Sequence, residues 1–142
     1  MLRGSIFVVV LAFGALGPAA AQEALGAREY ARSCQACHGA AGRGDGPLAP
    51  YLSVAPSDLT RLGARNGGSF PHAVVFEMIA QGGTLGAHGG SAMPVWGDRY
   101  RAEARMPAFD VPPAPIVKQE VYVRAKIGAL VAYLESLQAD AP

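Results

Sequence analysis

The chain is 142 residues long, with 12 Lys and Arg against 11 Asp and Glu and a formal charge of +1. Charges so evenly matched argue against nucleic acid as a partner, and the length is that of a single domain. Its 18 glycines and 11 prolines predict long irregular connections and a modest side-chain core, and two cysteines are too few for a disulfide framework.

Met1-Leu2-Arg3 is a short basic start, Ile6 to Leu16 an apolar stretch, Pro18 a break, and Ala19-Ala20-Ala21 an A-x-A cleavage signal before Gln22. Residues 1–21 therefore read as a secretory signal peptide and residues 22–142 as one mature domain exported to the periplasm. The apolar stretch falls short of the ~20 residues a membrane helix needs, and no other segment approaches that length, so the mature protein is expected to be soluble. An uncleaved N-terminal anchor is the alternative. Removing Arg3 takes the 12 basic residues to 11, level with the 11 acidic ones.

A short helix is expected from Ala24 to Cys34, carrying Leu25, Tyr30 and Ala31 into Cys34-Gln35-Ala36-Cys37-His38. C-x-x-C-H is the attachment pattern of a c-type haem. Each thiol adds across one haem vinyl group to give a thioether, and the histidine that follows is held under the iron as proximal ligand. Chance explains the pattern poorly, since shuffling two Cys and three His through a chain of this length yields it on the order of once in 3,000 trials. A thioredoxin-like C-x-x-C needs the strands of a βαβ unit, and no alternating run of β-branched residues supplies them. Structural zinc needs four ligands, and beyond the motif only His72 and His88 remain, isolated on Gly- and Pro-flanked segments. One haem uses both cysteines, so no structural disulfide is expected even in an oxidising compartment.

Between Gly39 and Asn66 the glycines, with Pro47, Pro50 and Pro56, interrupt every periodicity and predict a wrapped loop over one haem edge. A second helix is expected from Ser69, with Pro71 in its first turn, Val74, Val75, Met78 and Ile79 on one face, and Gly82-Gly83 as its stop. Met78 on that face reads as core. Arg99, Arg101 and Arg105, interleaved with Asp98 and Glu103, read as a solvated face, with a docking patch as the alternative. Pro107, Pro112, Pro113 and Pro115 mark an extended segment. In the last helix Val123, Ile127, Leu130, Val131, Leu134 and Leu137 recur on one buried face, with Lys126, Glu135 and Gln138 outside it. Glu77 and Asp58 are single carboxylates that read as exposed or capping. No nucleophile with its base and no phosphate loop appears, so nothing outside the haem motif suggests an enzyme site.

Together these features resemble the class I cytochrome c family of single-haem carriers, across most of the mature chain. In that family a glycine and an aromatic ahead of the first haem cysteine pack against an aliphatic and an aromatic of the C-terminal helix. Gly26 and Tyr30 stand at those positions here, with Leu130 and Tyr133 as their partners in Leu130-Val131-Ala132-Tyr133-Leu134. The resemblance implies an all-α class I cytochrome c fold, three to five short helices and long loops wrapped around one covalently bound haem c.

It also implies a sixth iron ligand. Met93 leads, because Met93-Pro94-Val95-Trp96-Gly97 is similar to the M-P-x-W-G ligand loop of bacterial members. Met106-Pro107-Ala108-Phe109 is a rival that lies closer to the last helix, and His88 and His72 are the remaining candidates. A thioether paired with histidine raises the reduction potential relative to two imidazoles. A ligating imidazole donates its other N–H to a carbonyl. Pro47, in Gly46-Pro47-Leu48, matches the family's proline in placement, with Pro50 as the alternative. Trp96 is expected at the haem edge, with ordinary core packing as the alternative.

The resemblance thus implies a monomeric periplasmic carrier that passes single electrons between a donor and an acceptor protein, with no small-molecule substrate and no catalytic acid or base. Two other readings stand beside it. One is the haem subunit of a larger periplasmic oxidoreductase, docking through Met106 to Pro115. The other is a gas-binding or peroxidase-like haem protein with an open sixth position.

Overall fold

Apolar side chains at three-and-four spacing make the last helix, Ile116–Ser136, the spine of the molecule. Val123, Ile127, Leu130, Val131 and Leu134 are buried along it, as the periodicity predicts. The computed structural model describes residues 17–82, 93–106 and 115–139. The basic start and apolar stretch of the expected signal peptide, His88, and Pro107, Pro112 and Pro113 lie outside the described residues.

In chain order the elements are α1 (Pro18–Ser33), α2 (Gln35–His38), α3 (Leu62–Arg65), α4 (His72–Gln81), α5 (Trp96–Arg105) and α6 (Ile116–Ser136), with 3-10 turns at Ala49–Tyr51 and Leu59–Arg61. Among the described residues there is no strand, so the fold is all-α. None of the described helices is long and apolar enough to cross a membrane.

Three elements differ from expectation. Helix α1 starts at Pro18 rather than Ala24, because proline suits the first turn and Ala19 to Ala24 are good helix formers. Helix α4 starts at His72 rather than Ser69, with Pro71 as its N-cap and not inside its first turn. Its C-terminal stop is as expected: Gly82 takes the left-handed conformation, with φ 69°. The charged stretch is solvated as expected, with Asp98, Arg99 and Arg105 exposed, but it is also a complete helix, α5, laced by an Arg99–Glu103 pair at 3.5 Å and an Arg101–Asp98 pair at 2.9 Å. Its arginines also reach α6, where Arg101 meets Glu120 at 2.8 Å and Arg105 meets Gln119 at 3.0 Å. Arg101 and Arg105 thus help hold the two helices together.

Helix α1 crosses α6 at Gly26. A Cβ there would run into the Ala129 carbonyl oxygen and lie 2.7 Å from the Tyr133 Cβ, so glycine is what permits the approach. One turn on, the Tyr30 and Tyr133 rings pack with centroids 5.3 Å apart. Helices α4 and α5 close the core from the other side. Val75, Ile79, Trp96 and Tyr100 join Tyr30, Ile127 and Leu130 in one cluster. Gly97 makes that contact close as well, since a Cβ on it would lie 2.5 Å from the Ala80 carbonyl oxygen.

Two polar residues expected outside the buried face of α6 are drawn in. Lys126 is half-buried, and Gln138 accepts from the Gly63 N–H at 2.9 Å while donating to the Leu59 carbonyl at 2.8 Å. Glu135 stays exposed as expected, paired with His72 at 2.9 Å.

Candidate functional site

The C-x-x-C-H segment is shaped by a break at Cys34. This residue ends α1, its N–H bonding to the Tyr30 carbonyl at 2.8 Å, and also caps α2, its own carbonyl accepting from Cys37 at 3.1 Å and His38 at 2.9 Å. The two cysteines therefore sit one tight turn apart with His38 directly after. Both thiols are free and half-buried. Burial pushes the Cys34 thiol up to about 12, with the charges of Glu29 and Cys37 adding to the shift, so the free thiol stays protonated and reacts poorly toward disulfides.

The loop after the motif folds back onto it. Gly44, Gly46 and Leu48 donate in turn to the carbonyls of His38, Cys37 and Ala36 at 2.9, 3.1 and 2.9 Å. Gly39 and Gly44 take φ of 80° and 82°, which glycine adopts without strain. Leu59 then donates to the Gly42 carbonyl at 2.6 Å, drawing the chain from Pro56 to Leu59 against the same turn.

That return path decides the partner of His38. Its Nδ1 lies 3.0 Å from the Ser57 carbonyl, and a carbonyl only accepts, so Nδ1 carries the proton and Nε2 keeps its lone pair. The expected donor of that carbonyl, Pro47, is exposed on the stretch paired with Ala36. It is Ser57, and neither Pro47 nor Pro50, that meets the ring. Next to it Asp58 fulfils the capping reading, accepting from the Thr60 N–H at 2.9 Å and hydroxyl at 2.7 Å, bonds that hold its carboxyl below the usual range.

The two candidate methionines differ sharply in setting. Met93 is half-buried against the core just ahead of α5, whereas Met106 caps the far end of α5 with 71% of its surface exposed. The backbone around Met93 is held from α4, since a Cβ on Gly82 would lie 3.1 Å from both the Met93 carbonyl and the Val95 N–H. Trp96 is buried in the core cluster, its ring 6.1 Å from Tyr100 and covered by the Arg99 guanidinium at 5.1 Å. His72 is occupied by Glu135, with its ring edge on Phe70 at 4.9 Å.

Sequence reasoning missed a buried carboxylate beside the motif. Glu29 is only 7% exposed and accepts from Ser33 at 2.8 Å, Tyr100 at 3.1 Å and Lys126 at 2.5 Å. Burial opposes its ionisation, but these donors and the Lys126 charge outweigh it and hold the carboxyl below the usual range. Lys126 also reaches Glu103 at 3.4 Å and lies over the Tyr100 and Tyr122 rings at 5.2 and 5.6 Å. The signal was present in the spacing. Glu29 is almost one turn beyond Gly26 and Lys126 almost one turn before Ala129, so the two meet once the crossing point is known.

A model of the cytochrome c family matches residues 23–138. The chain belongs to the cytochrome c family. Comparison with curated proteins and with solved structures gave no match. Members of the family carry covalently attached haem c, and this cytochrome has two cysteines for the two thioethers, Cys34 and Cys37. The residues suit that group: both thiols are unpaired, and the loop past the motif leaves large apolar side chains exposed at Leu48, Tyr51 and Val54, which an apolar macrocycle can cover. The family's work is electron transfer between redox proteins.

Proposed function

We propose that this cytochrome is a periplasmic class I electron carrier with His38 and Met93 as the axial ligands of its haem. The observation that carries the reading is the contrast between the two methionines, Met93 packed against the core and Met106 exposed at the end of α5. A sixth ligand must be held in place through both oxidation states, and a residue packed against the core meets that need where a solvated one does not.

The haem, when bound, supplies the one-electron chemistry. The chain's residues do the rest. Cys34 and Cys37 tether the group, and the Ser57 carbonyl fixes the His38 ring while making its Nε2 a stronger donor. Met93 would hold the haem iron through its soft thioether, a donor that favours the reduced state relative to imidazole. Trp96, three residues on, is buried in the core on Tyr100 and would anchor the start of α5 behind the methionine. No acid or base is needed, and the partners are a donor and an acceptor protein meeting the cytochrome in short-lived interfaces.

Absorption spectra of the exported holoprotein test the assignment, in both oxidation states and with carbon monoxide, alongside Met93→Ala and Met106→Ala. The expected result is a weak far-red sulfur-to-iron band in the ferric form that only Met93→Ala abolishes, with no carbon monoxide bound by the wild type. Ready binding of carbon monoxide by the wild type would favour the gas-binding reading instead. N-terminal sequencing of the exported protein, expected to begin at Gln22, tests the signal peptide.

A further inference from the structure

The buried carboxylate of Glu29 has a position that neither haem attachment nor core packing explains. An apolar side chain would fill the same space without a desolvation cost, yet a charged one is kept there and satisfied by three donors from three helices. Ser33 immediately precedes the first haem cysteine on α1. Lys126 belongs to α6. Tyr100 belongs to α5, the helix that begins three residues after Met93.

We infer that Glu29 is a positioning residue for the sixth ligand: by taking the Tyr100 hydroxyl proton in a hydrogen bond it ties α5 to the haem-bearing end of α1, and so holds Met93 in place. The tie runs through a rigid path. Tyr100 is completely buried, and its ring packs on Trp96 one turn earlier, at the very start of α5. Trp96 follows Met93 after two residues, with Gly97 pressed onto Ala80 and Met93 itself beside Gly82. A tilt of α5 away from α1 therefore moves the backbone that carries the methionine. Lys126 steadies the same joint from α6, bridging Glu29 to Glu103 on the next turn of α5.

This inference rests on Met93 being the ligand, so its test separates the two. Imidazole is titrated into the ferric holoprotein, where it binds only when the native sixth ligand has left, and its apparent affinity reports how often that happens. Tyr100→Phe keeps the ring in the core and deletes only the hydroxyl. It is expected to raise imidazole affinity about tenfold, the effect of losing one hydrogen bond to a charged group. Glu29→Leu should do the same, and Glu29→Gln, which keeps an oxygen for Tyr100, should stay closer to wild type. Gln138→Ala is the comparison, because it weakens the joint between α6 and residues 59–63 and touches neither Glu29 nor α5. Its denaturation midpoint should fall while imidazole affinity stays unchanged. If Tyr100→Phe binds imidazole no more tightly than wild type, or if Gln138→Ala gains as much, the positioning role is wrong. A wild type lacking the sulfur-to-iron band instead overturns the Met93 assignment.

Discussion

The hydroxyl of Tyr30, buried in the crossing of α1 and α6, donates to the carbonyl of Gly39 at 2.7 Å. One side chain thus joins the packing of the terminal helices to the turn that follows His38. Burial pushes its phenol well above the ordinary range, with nearby Cys34, Tyr133 and Asp45 adding to it, so the proton stays on the oxygen. Tyr30→Phe should cost about 1 kcal/mol, the net worth of a neutral hydrogen bond, and leave the ring packing on Tyr133 intact. Chemical denaturation of the holoprotein measures the loss, and amide exchange should show the turn from Gly39 to Gly44 opening more often.

Gly26→Val should cost about 1–3 kcal/mol by overpacking, because the added carbons have only the Ala129 carbonyl and the Tyr133 side chain to displace. The denaturation midpoint should fall at an unchanged slope. A midpoint equal to wild type would show that α1 and α6 do not cross at this residue.

Gly44→Ala should be destabilising by about 1–2 kcal/mol, since the residue sits at φ 82° with its missing Cβ aimed at the Pro56 carbonyl. The displaced segment carries Ser57, so the His38 Nδ1 bond should lengthen. A shifted His38 ring-proton signal in the NMR spectrum of the reduced holoprotein is the expected readout, and an unmoved one would mean that Ser57 does not orient the imidazole.

The pair of Glu29 and Lys126 sets limits on stability at both ends of the pH scale. Glu29 is held below its ordinary value of 4.5, so its contribution is present above that pH and fades as the pH falls through the folded value. Lys126 is held above its ordinary 10.5, despite burial, by bonds to and charge from Glu29; its contribution is present below that pH and fades as the pH rises through the folded value. Glu29→Gln should therefore lower stability by about 1–2 kcal/mol near neutrality. The gap to wild type should close as the pH falls through the lowered folded value of Glu29 and its carboxylate takes up a proton. Denaturation midpoints collected across the acid range check this, and a gap that persists in acid would place the lost stability elsewhere.

Covalent haem attachment was legible in the chain because its chemistry is local: two thioethers need two cysteines a short turn apart, and Cys34 and Cys37 supply them. The buried face of α6 was legible for a related reason, since helical periodicity turns Val123, Ile127, Leu130, Val131 and Leu134 into a stripe before any partner is known. Gly26 and Tyr30 could be matched to Leu130 and Tyr133 only through the resemblance to a known family, and the structure supplies the physical reason, a crossing so close that a Cβ on Gly26 would meet Ala129 and Tyr133. Helix α5 escaped notice, since a polar segment shows no strong apolar stripe and its order comes from ion pairs and from Trp96 and Tyr100 entering a core built by others.

What remained was decided in three dimensions. Which carbonyl meets His38 depends on the route of a loop whose direction is set by Gly39 and Gly44 and by the Leu59–Gly42 bond, and loop routes leave no periodic trace. Whether Met93 or Met106 is sheltered depends on which end of α5 faces the core. Whether Glu29 is a surface charge or a buried hub depends on the crossing that brings Lys126 and Tyr100 to it from residues about 70 to 100 positions away. Covalent chemistry and helical faces are properties of neighbours along the chain. Hydrogen-bond partners, exposure and the pairing of charges belong to neighbours in space, and only the packed helices supply those.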